Sequence, residues 1–355
     1  MLIISADRRE LADAISRAAA GLSPRPQQPV QAGMLLRGAD GTLELTCSDG
    51  QVSFTSQIEA AIHTGGSVIL PGKMLAEVSR YWTGQEIVLI HEDKGVAEIV
   101  FARSRFSLPA TPGEKYPQWL PAPEALLELD AEAFSRAVRS IIPAASTTFP
   151  VLQSIYLIPG RELKMICASR ECMGIVNLPG FPGDIPSHVE PVLVPVKVME
   201  RFARIAGEGT VSLGWSGKLI SMAADGLQVV TPLIEGSFAD WEKIAKLIPV
   251  GTVTANTAEL ANAVKMAMLA DERVSLEFTE GEILVSSLGE DGRAGSSVPL
   301  EEEDIKDPVT FAFGGDMLLD ALAGCGEKAG FSWNRAVFVQ DGNFIYSVQP
   351  RRRET

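Results

Sequence analysis

Histidine is scarce in this sequence. Only three of the 355 residues are histidine, and they stand far apart: His63, His91 and His188. Metal sites and His-based catalytic centres group such side chains at short, defined spacings. A Walker-type phosphate loop is missing as well, and Gly214-Trp-Ser216 lacks the second glycine that a nucleophile elbow needs at the right offset. We therefore expect no catalytic residue, no metal and no cofactor, and a protein that binds other molecules without being an enzyme.

Cysteine and long hydrophobic runs are also rare. The four cysteines lack the paired spacing of a metal site: Cys47, Cys167, Cys172 and Cys325. Scattered cysteines of this kind are typical of reduced core thiols in a cytosolic protein. No segment approaches the roughly 18–20 apolar residues of a membrane span, and the first residues lack the charged start and apolar run of a signal peptide. The expected location is the cytoplasm, with no membrane contact.

Positive charge is in deficit over the chain as a whole. Lysine and arginine number 31 against 45 acidic residues, which gives a net charge of −14 and argues against an unstructured nucleic-acid-binding tail. A local basic surface remains compatible with this balance, because a phosphate backbone responds to charges within about 8–10 Å at physiological salt. The length predicts two or three domains, and the apolar fraction of 46% predicts an ample core.

The most informative feature is an internal repeat. A short strand, a polar residue and an amphipathic helix follow one another three times, with steps of 123 and 126 residues. These segments are residues 2–15, 126–138 and 252–264. A second landmark, an apolar strand that runs into another helix, keeps the same order. It lies at residues 68–80, 192–204 and 309–323.

Between the two helices of each copy, short strands alternate with polar turns such as Asp49-Gly50 and Glu280-Gly281, which are typical of β-hairpins. The predicted fold class is therefore α+β. We predict three homologous domains, each with two helices packed on antiparallel sheets. Their expected boundaries are residues 1–122, 123–250 and 251–355.

The helix of the second landmark carries a basic stripe. Lys197, Arg201 and Arg204 recur at i, i+4 and i+7, whereas Val198 and Phe202 lie on a separate apolar face. Such a helix can pack on a sheet by one face and present cations to an anionic partner on another. For one helix taken alone, a solvated surface is the competing interpretation. The recurrence of the unit favours a shared basic surface.

Three segments give the chain a resemblance to a known family. They are residues 68–75 (VILPGKML), 103–117 (RSRFSLPATPGEKYP) and 231–241 (TPLIEGSFADW). Over essentially its whole length, the chain resembles the bacterial sliding clamp, the beta subunit of DNA polymerase III. The resemblance implies a head-to-tail homodimer in which each protomer is half of a six-domain ring. Twelve helices would then line a central hole that encloses double-stranded DNA.

The resemblance implies that basic residues of these helices contact DNA phosphates, which carry no sequence information. The candidates are Arg9, Arg17, Lys73, Arg80, Arg136, Arg139, Lys197, Arg201, Arg204 and Lys265. It also implies a dimer seam between a half-apolar, half-basic strand of the first domain and an acidic, apolar face of the third. The candidates there are Arg103, Arg105, Phe106, Leu108, Met268, Leu269, Glu301, Glu303 and Ile305.

The family recruits DNA polymerase and clamp-loader subunits through short peptides that bind a hydrophobic cleft. Carried over by position, the cleft comprises Leu152, Met173, Ala239, Lys243, Ile244, Val348, Pro350 and Arg351. The chain departs from the family here. Residues 168–173 read ASRECM where Thr-Asp-Gly, His or Tyr, and Arg-Leu are usual, Ala239 replaces a proline, and the tail is arginine-rich. We expect a cleft that prefers peptides with acidic flanks.

Two alternatives remain at this point. One is an enzyme of three repeated α+β domains, which should concentrate titratable residues in one copy. The other is a clamp-like peptide-binding decoy, or a specialised paralogue that does not support general replication. The oligomeric state separates a ring from a decoy, because a ring must be a stable dimer.

Overall fold

Three successive stretches of the chain each carry two helices of eight or more residues within a series of antiparallel strands. The computed structural model describes residues 2–23, 25–82, 87–180, 189–245, 249–290, 292–334 and 336–350. Its α-helices are α1 (Arg8–Ala19), α2 (Gly72–Ser79), α3 (Ala131–Ile141), α4 (Val196–Ile205), α5 (Glu242–Ala245), α6 (Thr257–Ala267) and α7 (Gly315–Ala323). Short 3-10 segments lie at Pro29–Ala32, Gly113–Lys115, Ile142–Ala144 and Pro150–Leu152. No helix of this described part is long and apolar enough to cross a bilayer.

The strands follow the same three stretches. The first holds β1 (Leu2–Asp7), β2 (Gly33–Ala39), β3 (Thr42–Ser48), β4 (Ser53–Glu59), β5 (Ala61–Thr64), β6 (Gly66–Pro71), β7 (Ile87–Asp93), β8 (Val96–Phe101), β9 (Ser104–Pro109) and β10 (Thr111–Pro112). The second holds β11 (Leu127–Asp130), β12 (Ser154–Ile158), β13 (Glu162–Ala168), β14 (Cys172–Pro179), β15 (Val192–Pro195), β16 (Thr210–Ser216), β17 (Leu219–Ala224) and β18 (Leu227–Pro232). The third holds β19 (Gly251–Asn256), β20 (Arg273–Thr279), β21 (Glu282–Leu288), β22 (Arg293–Asp304), β23 (Val309–Gly314), β24 (Lys328–Trp333), β25 (Val337–Asp341) and β26 (Phe344–Val348).

Helices α1 and α6 each begin at a polar cap residue that ends a strand. The carboxylate of Asp7 accepts hydrogen bonds from the backbone N–H groups of Arg9 (2.7 Å) and Glu10 (3.2 Å) at the start of α1. Both bonds lower the pKa of Asp7, the bond from Glu10 having the larger effect and the bond from Arg9 the next. Asn256 caps α6 in the same way, through Glu259 N–H at 3.0 Å. The first helices of the three stretches thus begin at the spacing that the sequence repeat predicted.

The chain forms two compact units that do not coincide with the predicted domains: Met1–Glu132 with Arg201–Leu233, and Ala133–Glu200 with Ile234–Thr355. The boundaries fall inside α3 and α4, so the domain limits of the sequence analysis remain predictions. The first unit contains a five-stranded sheet, in the order β5-β1-β7-β8-β9, and a nine-stranded sheet, β10-β6-β2-β3-β4-β18-β17-β16-β11. Its largest core cluster buries Leu11, Ala14, Ile15 and Ala18 of α1, an apolar stripe at helical spacing.

The second unit is built on one twelve-stranded sheet, in the order β15-β12-β13-β14-β26-β25-β24-β19-β22-β21-β20-β23. Helix α6 buries Leu260 and Val264, and α7 buries Leu318 and Leu322. Aromatic rings fill the third repeat. Phe278 stacks on Trp333 with ring centroids 4.8 Å apart and also contacts Phe331.

Each long sheet joins two repeats through one pair of strands, and the two pairs occupy equivalent positions in the repeats. In the first unit β4 pairs with β18, and Phe54 lies opposite Val229. In the second unit β14 pairs with β26, and Gly174 lies opposite Tyr346. Two equivalent strand edges are left over among the described residues: β9 ends its sheet, and residues 293–299 of β22 pair on the β21 side alone.

Gly214 allows the segment between the first two repeats to pass close over β16. A Cβ at this position would collide with the carbonyl oxygen of Glu124. Nearby, the hydroxyl of Ser221 donates a hydrogen bond to the carbonyl of Pro123 at 2.7 Å. Gly214 thus lies within a strand and has a packing role, unlike the strand-to-helix turn of a nucleophile elbow.

We predict that Gly214→Ala destabilises the protein by about 1–3 kcal/mol, because the added methyl group must displace backbone. Gly160→Ala is the matched control, since a Cβ there would make an ordinary contact, 3.4 Å from the carbonyl oxygen of Glu162. The midpoints of thermal and urea unfolding measure both effects. Equal midpoints for the two variants would contradict the close approach at Gly214.

Candidate nucleic-acid interface and peptide cleft

Most of the predicted phosphate-binding cations are exposed on helices. They are Arg9, Lys73, Arg80, Arg136, Arg139, Lys197, Arg204 and Lys265. Arg139 also donates a hydrogen bond from Nε to the carbonyl of Ser135, one turn earlier on α3, at 3.0 Å. This contact anchors the base of the guanidinium and leaves its charge in place. The exposure of these side chains is what contact with an anionic partner requires.

Two of the predicted cations have a structural role in the first unit. The guanidinium of Arg17 donates to the carbonyl of Asp225 at 2.6 Å and to its carboxylate at 2.7 Å. Arg201 donates to the carbonyl of Ala20 at 3.4 Å. Asp225 lies at the turn between β17 and β18, so Arg17 links the first repeat to the second. Its charge is offset by the carboxylate, which corrects its assignment as a free phosphate contact.

The third repeat carries acidic groups on α7. Asp316 and Asp320 are one turn apart, and burial together with the carboxylate of Asp316 raises the pKa of Asp320. A cavity of about 710 Å³ in the second unit has Asp320 and Asp341 on one side and Arg136 and Arg139 of α3 on another. Of the ten predicted phosphate contacts, Lys265 alone lies in this repeat.

The predicted seam strand β9 is apolar at one point. Phe106 is 37% exposed, whereas Leu108, on the same face of the strand, is 3% exposed and belongs to the core cluster of the first unit. Leu108 therefore packs in the core of its own unit, and its part in the interface remains a prediction. Arg103 is exposed, and Arg105 forms an ion pair with Glu98 at 3.5 Å.

On the opposite seam face, three of the predicted residues have partners within their own unit. Leu269 is 87% exposed, which suits an interface, but Met268 packs against Gly315 within the unit. Glu301 forms an ion pair with Lys328 at 2.5 Å, and Glu303 accepts a hydrogen bond from Gly281 N–H at 2.8 Å. These carboxylates lie on the half of β22 that pairs with β19, and Ile305 follows it half-buried. The open strand edge is residues 293–299, a stretch that sequence reasoning missed.

The predicted peptide cleft lies on one face of the sheet in the second unit. Its floor is formed by Ala168 and Met173, with Ser347 of the last strand and Gln349, which follows that strand, beside them. One wall is the turn at residues 169–172. The other is a segment, here called the strap (residues 234–241), that places Ala239, Asp240 and Trp241 at the cleft. Leu152 is half-buried and packs against the apolar cluster that contains Ala168 and Met173.

The last strand turns a different face to this cleft from the one predicted. Val348 is fully buried, because side chains alternate along β26 and that of Val348 faces the core, as does that of Tyr346. Ser347 and Gln349 occupy the cleft face, so the floor is more polar than expected. Pro350 is half-buried. The side chain of Ile244 and all of Arg351 lie outside the described residues.

Charged groups around the cleft are largely paired. Lys243 forms an ion pair with Asp240 at 2.7 Å, and this contact raises the pKa of Lys243. The guanidinium of Arg170 lies 4.6 Å from the ring centroid of Phe149. The ammonium of Lys164 lies 4.5 Å from the ring centroid of Trp241. Sequence reasoning missed Lys164 and Trp241 as cleft residues. For Lys164 a signal was available, because strand alternation places it on the same face of β13 as Ile166 and Ala168.

Cys172 borders the cleft but is not suited to nucleophilic chemistry. Burial raises the pKa of its thiol to about 11. At pH 8 the thiol is therefore protonated, and the reactive thiolate is depleted by about a hundredfold relative to an ordinary cysteine.

We predict that iodoacetamide alkylates Cys172 in the native protein at pH 8 about a hundredfold more slowly than in the urea-unfolded chain. Peptide mass spectrometry over a time course measures both rates. Equal rates in the two states would contradict the burial of this thiol.

Comparison with known proteins agrees with this architecture. Residues 2–121 match the family model of the DNA polymerase III beta subunit, N-terminal domain. The chain is 31% identical to the beta sliding clamp of Micrococcus luteus over 308 residues, 82% of this chain and 97% of that protein. It is 32% identical to the beta sliding clamp of Streptomyces coelicolor over 336 residues, 90% of this chain and 88% of that protein.

A solved structure extends the likeness to the whole chain. The DNA polymerase sliding clamp of Bacillus subtilis superposes with a TM-score of 0.90, at 19% identity, over 99% of each chain. At this identity the match establishes the fold, and the two sequence relatives establish the kinship. The chain belongs to the family of the beta sliding clamp, the beta subunit of DNA polymerase III.

Proposed function

We propose that two copies of this chain close head to tail into a ring that encircles duplex DNA and serves as a sliding clamp. The observation that carries the proposal is the recurring strand junction. Repeats one and two meet through β4 and β18, and repeats two and three through β14 and β26. The two unpaired edges would form a third junction of the same kind. In it, β9 is equivalent to β18 and β26, and residues 293–299 are equivalent to β4 and β14. A second copy can supply both.

The internal junctions also predict the register of this seam. Counted from the hairpin turns, Phe106 is equivalent to Val229 and Tyr346, and Ala294 is equivalent to Phe54 and Gly174. Phe106 of one protomer should therefore lie opposite the partner's Ala294. This pairing would satisfy the backbone groups of both edges and cover the exposed ring of Phe106.

The DNA-facing surface in this proposal is the set of exposed helix cations. Its contacts are with phosphates, so binding is independent of base sequence and sensitive to salt. The net charge of −14 keeps other surfaces from adhering to nucleic acid. The ring acts by tethering, and no catalytic step of its own is required.

The cleft of the second unit is the proposed binding site for short peptides of DNA polymerase and clamp-loader subunits. Its apolar floor and aromatic wall suit an apolar anchor, and the polar groups at Ser347 and Gln349 suit a hydrogen-bonding backbone. The cations Lys164, Arg170 and Lys243 at the cleft already have partners, so a preference for acidic flanks would depend on the arginine-rich tail.

We predict that Leu269→Asp and Phe106→Asp each convert the dimer into monomers. An unpaired carboxylate buried in an apolar contact costs several kcal/mol. Sedimentation at micromolar concentration distinguishes the 38.0 kDa monomer from a species of twice that mass. Val250→Asp, an equally polar change at another exposed apolar residue, serves as the control and should leave the dimer intact. A monomeric wild-type protein would exclude the ring and favour a peptide-binding decoy.

We predict that replacing Arg139, Lys197 and Arg204 together with alanine weakens retention on closed circular DNA. The slope of log affinity against log salt should fall by about three, since each lost phosphate contact removes about one unit. Arg161→Ala is the control at an exposed turn. Arg17→Ala should change the slope little, because Asp225 already offsets its charge. An unaltered slope for the triple variant would remove these helices from the DNA-facing surface.

A further inference from the structure

The cleft is too small, as it stands, for the anchor side chain of a peptide. The space bordered by Ala168, Met173 and Trp241 measures about 60 Å³. This is room for about two water molecules, whereas a cavity that takes a benzene ring measures about 150 Å³. A leucine or phenylalanine side chain can enter only if one side of the cleft moves.

The floor and the turn are held by backbone hydrogen bonds. Met173 lies in ladder register between Ala168 on one side and Ser347 on the other. In the turn, Ser169 N–H donates to the carbonyl of Cys172 at 2.8 Å, and Gln349 N–H donates to the carbonyl of Glu171 at 2.8 Å. Movement there would break strand pairing.

The strap packs on the same sheet through two of its rings. Its first residue, Ile234, donates its N–H to the carbonyl of Leu193 at 2.8 Å. Farther along, Phe238 stacks on Tyr156 with centroids 4.9 Å apart and planes at 20°. At the cleft itself the indole of Trp241 is held under the ammonium of Lys164. At the cleft the indole of Trp241 thus packs on the apolar cluster of the sheet and forms a cation–π pair with Lys164, both side chains being half-buried.

We propose that Trp241 is a gate over the cleft and that Lys164 is the residue that holds it closed. The inference rests on the proposed peptide-binding function, and it adds a regulated entry step. An apolar or aromatic side chain of a partner peptide takes the place of the indole on the sheet, and the strap moves outward while Phe238 remains stacked on Tyr156. Lys164 therefore sets a threshold that a peptide anchor must exceed, which makes it a specificity-determining residue outside the peptide contact itself.

The gate is tested first in the free, full-length protein. The fluorescence of Trp241 is obtained as the difference between a protein and its Trp241→Phe counterpart, and its quenching by acrylamide reports exposure of the indole. Lys164→Met keeps the length of the side chain and removes its charge, so quenching should increase. Lys164→Arg keeps a cation over the ring and should restore the original quenching. Arg37→Met removes a similar cation–π contact with Trp119 in the other unit and should have no effect.

The second measurement is a titration with a short synthetic peptide that ends in Leu-Phe, with an Ala-Ala peptide as its control. Because closing the gate opposes entry, Lys164→Met should bind the Leu-Phe peptide about fivefold more tightly than the wild-type protein. Unchanged quenching in Lys164→Met overturns the gate, as does equal peptide affinity in both proteins. If no protein binds the peptide, the cleft function fails, and the quenching result still decides whether Lys164 restrains Trp241.

Discussion

Pairing of strand edges is the constraint on which this structure depends. An unpaired edge exposes a row of backbone donors and acceptors, and proteins cover such edges or use them for association. Here each repeat supplies one edge to the next, first between β4 and β18 and then between β14 and β26. The same arrangement leaves β9 and residues 293–299 open at the two ends of the series. Two copies of the chain can therefore pair these open edges in the way that the repeats within one chain pair theirs.

The basic residues divide between two tasks that sequence alone could not separate. Arg17 and Arg201 reach backbone carbonyls of the neighbouring repeat, and Arg17 also pairs with Asp225. Lys197 and Arg204 of α4 are exposed, which suits contact with a mobile anionic partner. A stripe at i, i+4 and i+7 identifies the solvent side of a helix, but the position of Asp225, more than two hundred residues from Arg17, decides which cations stay available.

Much of the architecture was predictable because it depends on local patterns. Helix caps such as Asp7 and apolar spacing such as Leu11 and Ile15 are encoded within one turn, and the repeat multiplied that signal three times. The β-strand faces were harder. A shift of one residue exchanges the two faces of a strand, which is why Val348 was expected in the cleft that Ser347 occupies. The open edge at residues 293–299 was missed for a related reason, because β22 pairs with different neighbours along its two halves.

The distribution of strong and weak interactions suits the proposed ring. Continuous strand pairing, as at the two internal junctions, combines many hydrogen bonds with buried side chains and dissociates slowly. Contacts between exposed cations and phosphates are individually weak, screened by salt and indifferent to base sequence, so the same ring can remain closed while its grip on DNA shifts from one phosphate to the next. The cleft adds a third level. Its floor belongs to the rigid sheet, but its wall is held by side-chain rings, so partner exchange can proceed there without loosening the pairing that keeps the ring closed.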